Sequence, residues 1–474
     1  MIHFLLPDIL LLFLPFLIVT IRLFSPKRSL LPWYIAVFGL SIIFILLNCI
    51  SVGETHLFLS NWKVDRFGIL MREFLVLAAL MGISFSKEYF NYSSDFTPRM
   101  HQLSEFMATV IMATFGGIVV LSASDLLTFF LGLELATIPM YALTAWNKKD
   151  SIGSEAATKY ILMGSVATAF ELFGFSYLYG FSGSMLFSEI AAKVVLNPSS
   201  PLLWISVLFL LSGIGFKLTL FPFHTWAPDV YEGAPTPVTA ILSVTSKAVA
   251  ISFVSILVFG PLYGIKEQMA PFLSLLAGIT LFVGNLGALK QYKLRRFMAY
   301  SSISQAGYLL IAVLGPFELA LSSIVYYLFI YAFSNFLAFF IFGVIERNRP
   351  ETFDSLRGLS KESPFLAVAL AIALFSLAGI PPLAGFLGKF QLFYSAAQSH
   401  HYILITFAIL NNVLALYYYI QILKSAWVDP PDSSLFHLIV NLRQKIWIFL
   451  LSIAILFGAM LPFLNDNIFR IMNY

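Results

Sequence analysis

Charge is scarce in this sequence: charged residues make up 11% of its 474 positions and hydrophobic residues 59%. A soluble globular domain carries roughly 25% charged residues. A chain this long with so few charges cannot cover itself with a water-facing surface, so lipid must be the solvent for most of it. Cysteine is nearly absent. Cys49 stands alone in an apolar run, which excludes an internal disulfide and an iron–sulfur cluster ligated by this chain. The seven histidines lie mostly near the ends of apolar runs, and nothing in their spacing points to haem. The net charge of +4 comes from Lys and Arg scattered among short loops and carries no nucleic-acid signal. Long loops are missing too. The longest inner connections, near 86–105, 345–363 and 424–445, are about 20 residues each, too short for a soluble catalytic domain. Any chemistry must therefore take place within or beside the membrane. The first apolar run, Phe4–Phe24, is long enough to span and lacks a basic start or a small-residue cleavage site, so no cleavable signal peptide is expected.

What is present is a series of continuous apolar runs near 20 residues long, which predicts an all-α polytopic membrane protein. A transmembrane barrel would show alternating segments of roughly ten residues. Spans are expected near 4–24, 30–52, 67–85, 106–123, 125–145, 158–180, 201–221, 237–260, 271–289, 297–314, 318–344, 364–396, 400–423 and 446–467, about fourteen in all. The run 364–396 is long for one helix and holds Gly379-Ile380-Pro381-Pro382 near its middle, so it reads as one broken span. Loop charge sets the orientation. With the N-terminus outside, eighteen of the 28 basic residues fall on inner connections. Six (Lys63, Arg66, Arg72, Lys193, Lys266 and Arg470) fall outside, and Lys159, Lys217, Lys247 and Lys389 fall inside spans. That asymmetry places both termini on the outer side.

Ionisable groups at mid-bilayer cost roughly 2.5–3.5 kcal/mol on insertion scales, and helices that keep them usually do so for function. The candidates are Glu134, Lys159, Glu171, Lys217, His224, Lys247 and Lys389, with Asp125 nearer a helix end. Glu134 can hold or release a proton, or serve as half of a structural ion pair. Lys217 is followed by Pro222 and preceded by Gly213 and Gly215, so a helix break beside a buried lysine is expected, which suits an ion or water site. A packing kink with the lysine snorkelling is the alternative. His224 is a natural relay, or simply a satisfied buried histidine. Lys247 has the hydroxylic neighbours Ser243, Thr245 and Ser246, which could hold a chain of water. Lys389 follows the Gly-Ile-Pro-Pro break and repeats the logic of Lys217 with the order reversed, which hints at an internal repeat. Lys159 opens its span at i, i+4 spacing from Glu155, which also suits a plain helix pair. Together these groups could form an axis of carboxylates and ammonium groups across the protein, linked by water. The chain shows no energy source of its own.

The stretches LGLELATIPMYAL, GIGFKLTLFPFHTWAPDVYEGAPTPVTAILSVTSK, GNLGALKQYKLRRFMAYSSISQAGYLL and LAGIPPLAGFLGKFQLF carry a specific likeness. Through them the chain resembles the subunit N/subunit 2 family of the proton-pumping NADH–quinone oxidoreductases (respiratory complex I). The likeness runs from about residue 125 to 395, and the span layout extends it over nearly the whole chain.

The resemblance implies an antiporter-like fold with two inverted five-helix repeats, spans 4–8 and 9–13, broken in spans 7 and 12. The chain would divide into an N-terminal three-helix segment (1–105), repeats at 106–260 and 271–423, and a C-terminal segment (424–474). Glu134, Lys217, Lys247 and Lys389 fall on the family's fifth-, seventh-, eighth- and twelfth-span positions, and Lys159 and His224 also match, so these six are the expected proton-transfer groups. Lysine at 389 favours the N subunit over its M sister, which often carries glutamate there. Glu171 departs from the family, where that position is usually apolar. It would pair with a lysine or face a partner subunit. The resemblance further implies that NADH, FMN, iron–sulfur clusters and quinone act in other subunits and none is bound here, and that the chain contacts sister membrane subunits and lipid in a bacterial inner membrane. Two alternatives remain: an Mrp-type cation/proton antiporter subunit, distinguished by the ion dependence of transport, and a non-transporting scaffold, in which lysine-to-methionine changes would damage assembly rather than pumping.

Overall fold

A computed structural model of the chain describes residues 2–25, 29–50, 55–57, 62–90, 100–147, 150–347, 349–431, 438 and 440–460. Lipid offers no partner for a free N–H or C=O, so the apolar runs close their hydrogen bonds internally as helices. Two helices, α1 (Ile2–Phe24) and α2 (Leu31–Asn48), precede a short antiparallel hairpin, β1 (Thr55–Leu57) and β2 (Trp62–Val64), which the apolar pattern does not foretell. Then come α3 (Arg66–Phe90), α4 (Met100–Ser122), α5 (Leu126–Thr144) and α6 (Ser151–Ser182). A short α7 (Phe187–Leu196), not expected from the sequence, leads to α8 (Pro201–Lys217), α9 (Trp226–Gly233) and α10 (Thr236–Ile241). A π-helical turn, Leu242–Ser246, joins α10 to α11 (Lys247–Phe259). The second half comprises α12 (Lys266–Leu289), α13 (Leu294–Val313), α14 (Phe317–Ile345), α15 (Leu359–Glu362), α16 (Pro364–Ala378), α17 (Ala384–Gln398), α18 (Tyr402–Trp427) and α19 (Leu442–Gly458).

Among the described residues, ten helices are long and apolar enough to cross a membrane, where the sequence suggests about fourteen spans. The other four regions are helical but fall short for physical reasons. Breaks leave 201–221 and 364–396 with α-helical pieces of 17, 15 and 15 residues. Helix α13 has 20 residues but carries Arg295, Arg296, Ser301, Ser302, Ser304 and Gln305. Helix α19 is 17 residues long, and 461–467 of that expected span lie outside the described residues, as do residues 51 and 52. Lys27, Arg28, Arg99, Lys148, Lys149 and Arg470, counted in the loop-charge asymmetry, also lie outside them. Arg72 needs correction: it is not an outer-loop cation but is 2% exposed inside α3, 3.4 Å from the buried Asp8 of α1.

The bundle is centred on two helices. In an apolar 18-residue stretch of Thr236–Phe259 and of Phe317–Ile345, 89% of the residues are buried, against 28% in the corresponding stretches of Leu31–Asn48 and Tyr402–Trp427, which form the periphery. Lys247 therefore sits on a central helix. Helices α4 and α5 approach closely through small residues, since a Cβ on Gly116 would lie 2.2 Å from the Ala136 nitrogen and one on Gly132 would lie 2.6 Å from the Val120 nitrogen. This contact fixes the helix that carries Glu134.

Candidate proton pathway

Asp125 starts α5 by accepting hydrogen bonds from the Leu127 and Thr128 amides at 3.0 and 2.9 Å, an ordinary N-cap. Just over two turns later α5 presents Glu134, whose Oε1 accepts from Thr168 Oγ1 of α6 at 2.9 Å. Lys217 closes α8 and reaches the same oxygen at 3.3 Å. Its Nζ also lies 3.3 Å from Thr137 Oγ1 and 3.3 Å from Glu171 Oε2 of α6. Lys217 is 8% exposed and Glu171 0%, so neither reaches an interface by snorkelling. Glu171 is thus brought into the lysine's contact shell.

The chain beyond Lys217 leaves the helix as the prolines predict. Thr219 takes a positive φ of 60°, and the Phe221–Pro222 bond is cis. This irregular segment points Thr219 Oγ1 at Lys247, whose buried ammonium donates to it at 2.9 Å. Ser243 and Thr245 donate to carbonyls of the preceding turn, at Ala240 and Ile241. A cavity of about 30 Å³ does lie between the two lysine-bearing regions, lined by Thr114, Thr137, Tyr160, Lys217, Thr245 and Ser246 among others. One water needs roughly 10–15 Å³ by this measure and two to four polar partners, so the cavity has room for at least one.

At the second break α16 ends on Gly379 with φ 78°, and α17 starts at Ala384. Lys389 is 3% exposed and donates to Asn412 Oδ1 at 2.6 Å and to the Ala378 carbonyl at 3.3 Å. The ammonium also lies over the Tyr308 ring, 4.5 Å from its centroid. Lys389 therefore has neutral partners where Lys217 has carboxylates.

A polar track through the centre, not singled out in the sequence, approaches both breaks. Asn335 of α14 donates to Ser243 Oγ at 3.0 Å, and Tyr331 to the Ser243 carbonyl at 3.2 Å. Tyr331 also pairs with Ser302 at 2.9 Å, and Ser302 with Tyr231 at 3.2 Å. Ser334 donates to Ser376 of α16 at 2.8 Å, and Gln305 to the Leu377 carbonyl at 3.3 Å. The signal was the run SSISQ in α13, hydroxyls and an amide at a bundle-facing stripe.

Two expected members lie apart from these contacts. His224 is buried beyond the first break, tilted against the Phe221 ring at 5.8 Å, and its Nδ1 has no hydrogen-bond partner among the described residues. Lys159 is 42% exposed and pairs with Glu155 at 2.7 Å and Asp229 at 2.8 Å. It belongs to an ion cluster in which Arg296 bridges Asp229 at 2.7 Å and Glu232 at 2.9 Å, and Lys293 also pairs with Glu232. A further cavity of about 400 Å³ sits at the opposite end, beside Lys63, Asp65, Ser124, Ser188 and Ser255, the last two turns beyond Lys247 on α11.

Residues 123–415 match the family described as NADH:quinone oxidoreductase/Mrp antiporter, TM. A protein of Desulforamulus reducens named NADH-quinone oxidoreductase subunit N is 36% identical over 375 residues, covering 79% of this chain and 77% of the relative. A chain of the respiratory complex I of Thermus thermophilus with bound aureothin superposes with a TM-score of 0.79 at 27% identity, covering 96% of this chain and 97% of that one. A chain of the Mrp complex of Dietzia sp. DQ12-45-1b shares the fold, with a TM-score of 0.82 at 21% identity over 98% of this chain and 97% of that one.

Proposed function

The chain belongs to the NADH:quinone oxidoreductase/Mrp antiporter membrane family, on its subunit N/subunit 2 branch, and we propose from that premise that Glu134, Lys217, Lys247 and Lys389 carry the protons it moves. It is an antiporter-like, proton-translocating membrane subunit of an NADH–quinone oxidoreductase, associated with other membrane subunits of that complex. NADH oxidation and quinone reduction in other subunits supply the energy, and FMN, iron–sulfur clusters and quinone reside there.

The observation that carries the assignment is the buried contact between Lys217 and Glu134 at a helix break. The carboxylate holds the ammonium's proton by Coulomb attraction. A charge change in a neighbouring subunit that draws Glu134 away releases it. The proton then passes through the water-sized cavity towards Lys247, and the central track leads on to Lys389, whose neutral partners retain it less firmly. Lys159, at the exposed end of this half, takes protons from the inner water, and His224 relays near the break. The cavity beside Lys63 and Ser255 supports release on the opposite side.

Fourteen spans fit this reading, with α8–α9, α13, α16–α17 and α19 added to the ten long helices. The breaks after α8 and α16, each beside a lysine, support two inverted repeats at 106–260 and 271–423, flanked by segments 1–105 and 424–474. Loop charge supports an outer location for both termini.

The test starts with gentle extraction of the tagged chain and a native gel stained for NADH dehydrogenase activity. Activity is expected in a large band containing the chain. Protons pumped per NADH are expected to fall in Lys217→Met and Glu134→Gln complexes. Normal pumping in both variants would remove these residues from the pathway, and a small inactive band beside an intact control complex would point to a standalone antiporter.

A further inference from the structure

The proton-carrying reading of Glu134 and Lys217 leaves Glu171 unused, although its environment is built as deliberately as theirs. Glu171 is fully buried on α6, and its carboxylate oxygens have no hydrogen-bond partner among the described residues besides the ion contact with Lys217. The facing helix makes room for it. A Cβ on Gly213 of α8 would lie 2.1 Å from Glu171 Cγ and 2.8 Å from the Ala167 carbonyl oxygen, so the side chain lies in a slot that only glycine leaves open. Lys217 stands at equal distance, 3.3 Å, from Glu134 Oε1 and Glu171 Oε2. One ammonium between two carboxylates leaves an excess negative charge, and an unpaired buried charge is strongly disfavoured. The neutral state of the three groups contains one additional proton.

We propose that Glu171 is a second proton-binding carboxylate of this subunit. With Glu134 it brackets Lys217, and the two carboxylates share one proton beyond those of the ammonium. When the ammonium swings towards Glu134, that carboxylate is ionised and Glu171 carries the proton as a neutral acid. When the ammonium swings towards Glu171, the proton moves to Glu134 by way of Lys217 and the adjacent water-sized cavity. No bond other than O–H and N–H changes, and no oxidant or reductant is consumed. The arrangement gives α6 a direct part in loading, so the site senses displacement of α6 as well as of α5.

The proposal rests on the reading of Glu134 and Lys217 given above, and the experiment separates the two. The assembled complex is purified with Glu171→Gln, Glu171→Asp, Glu134→Gln or Lys217→Met. Protons moved per NADH oxidised are measured in proteoliposomes, and the protonated-carboxyl stretch is compared by infrared difference spectroscopy. Glu171→Gln is expected to lower protons per NADH to the level of Glu134→Gln. It should remove the same protonated-carboxyl band as Glu134→Gln, and Glu171→Asp should restore part of both signals. Pumping and band retained in Glu171→Gln but lost in Glu134→Gln would overturn the role of Glu171 and leave the pathway standing. Normal pumping in Glu134→Gln and Lys217→Met would overturn the pathway itself. Failure of both Glu171 variants to assemble into an NADH-oxidising complex would assign the carboxylate to folding and also overturn the proposal.

Discussion

Lys247 Nζ and Thr219 Oγ1 lie 2.9 Å apart, each placed by a departure from α-helical geometry. Thr219 occupies the break after α8 with a positive φ, and Lys247 follows the π-helical turn at Leu242–Ser246. The contact joins the segment that carries Lys217 to the central helix of the bundle. Thr219→Val keeps the shape and removes the acceptor, which costs about 1–3 kcal/mol for a buried polar group left unpaired. The complex is expected to assemble at near wild-type level on a native gel, with protons per NADH reduced several-fold. Thr219→Ser should retain most pumping. Equal pumping in Val and Ser variants would show that this contact does not lie on the pathway.

Lys389 differs from Lys217 in having an amide and a ring as partners, and that difference should set the direction of transfer. Asn412→Asp would place a carboxylate where Asn412 Oδ1 now stands 2.6 Å from the ammonium. The resulting pair should hold the proton and lower pumping at unchanged assembly. Tyr308→Phe keeps the ring under the ammonium and removes only the long 3.4 Å hydrogen bond from the Tyr308 hydroxyl to Asn412 Oδ1, so it should change less than Asn412→Asp. Tyr308→Leu removes a cation–π contact of about 0.5–2 kcal/mol and should lower the melting temperature of the complex. Enhanced pumping in Asn412→Asp would reverse the direction assigned to the second half.

Much of this was legible in the sequence because mid-membrane charge is expensive and therefore conspicuous. Glu134, Lys217, Lys247 and Lys389 stood out against apolar neighbours, and Pro222 and Pro381-Pro382 announced the breaks. Glu171, expected either to pair with a lysine or to face a partner subunit, does the former and touches Lys217. Which helices face each other is a tertiary fact, so Thr219 and Asn412 gave no signal as lysine partners. The central track was hidden for a different reason. Ser, Tyr, Gln and Asn lower hydropathy without adding charge, which also made α13 too polar to register among the ten long apolar helices.

Lys159 is the least buried of the expected proton groups, and its partners are ion pairs near the protein surface. Lys159→Met and Asp229→Asn both break the Lys159–Asp229 contact, and Asp229→Asn also weakens the pair with Arg296, so its effect should equal or exceed that of Lys159→Met. A modest loss of pumping is expected in both, measured in vesicles at low ionic strength. Raising salt should narrow the gap to wild type, because a Debye length falls from about 30 Å at 0.01 M to about 8 Å at 0.15 M and screens exposed pairs. A salt-insensitive, near-complete loss in Lys159→Met alone would instead make the lysine an obligatory carrier.

Asp8 and Arg72 form a buried pair between α1 and α3, at 4% and 2% exposure, with the guanidinium also bonded to Ser122 of α4. The pair ties the peripheral α1 to the helices that border the central bundle. Removing one partner of a buried ion pair costs about 3–5 kcal/mol, because the other charge is left without compensation, whereas replacing both by apolar side chains is often neutral or stabilising. Asp8→Leu and Arg72→Met should each reduce the amount of assembled complex and lower its melting temperature. The double variant should recover most of both, since no charge is then stranded in the membrane. Protons per NADH in whatever complex assembles should match wild type in all three, because the pair lies apart from the lysine axis. Additive damage in the double variant would mean that Asp8 and Arg72 act through separate partners, and a pumping defect in a well-assembled double variant would bring α1 and α3 into the proton pathway.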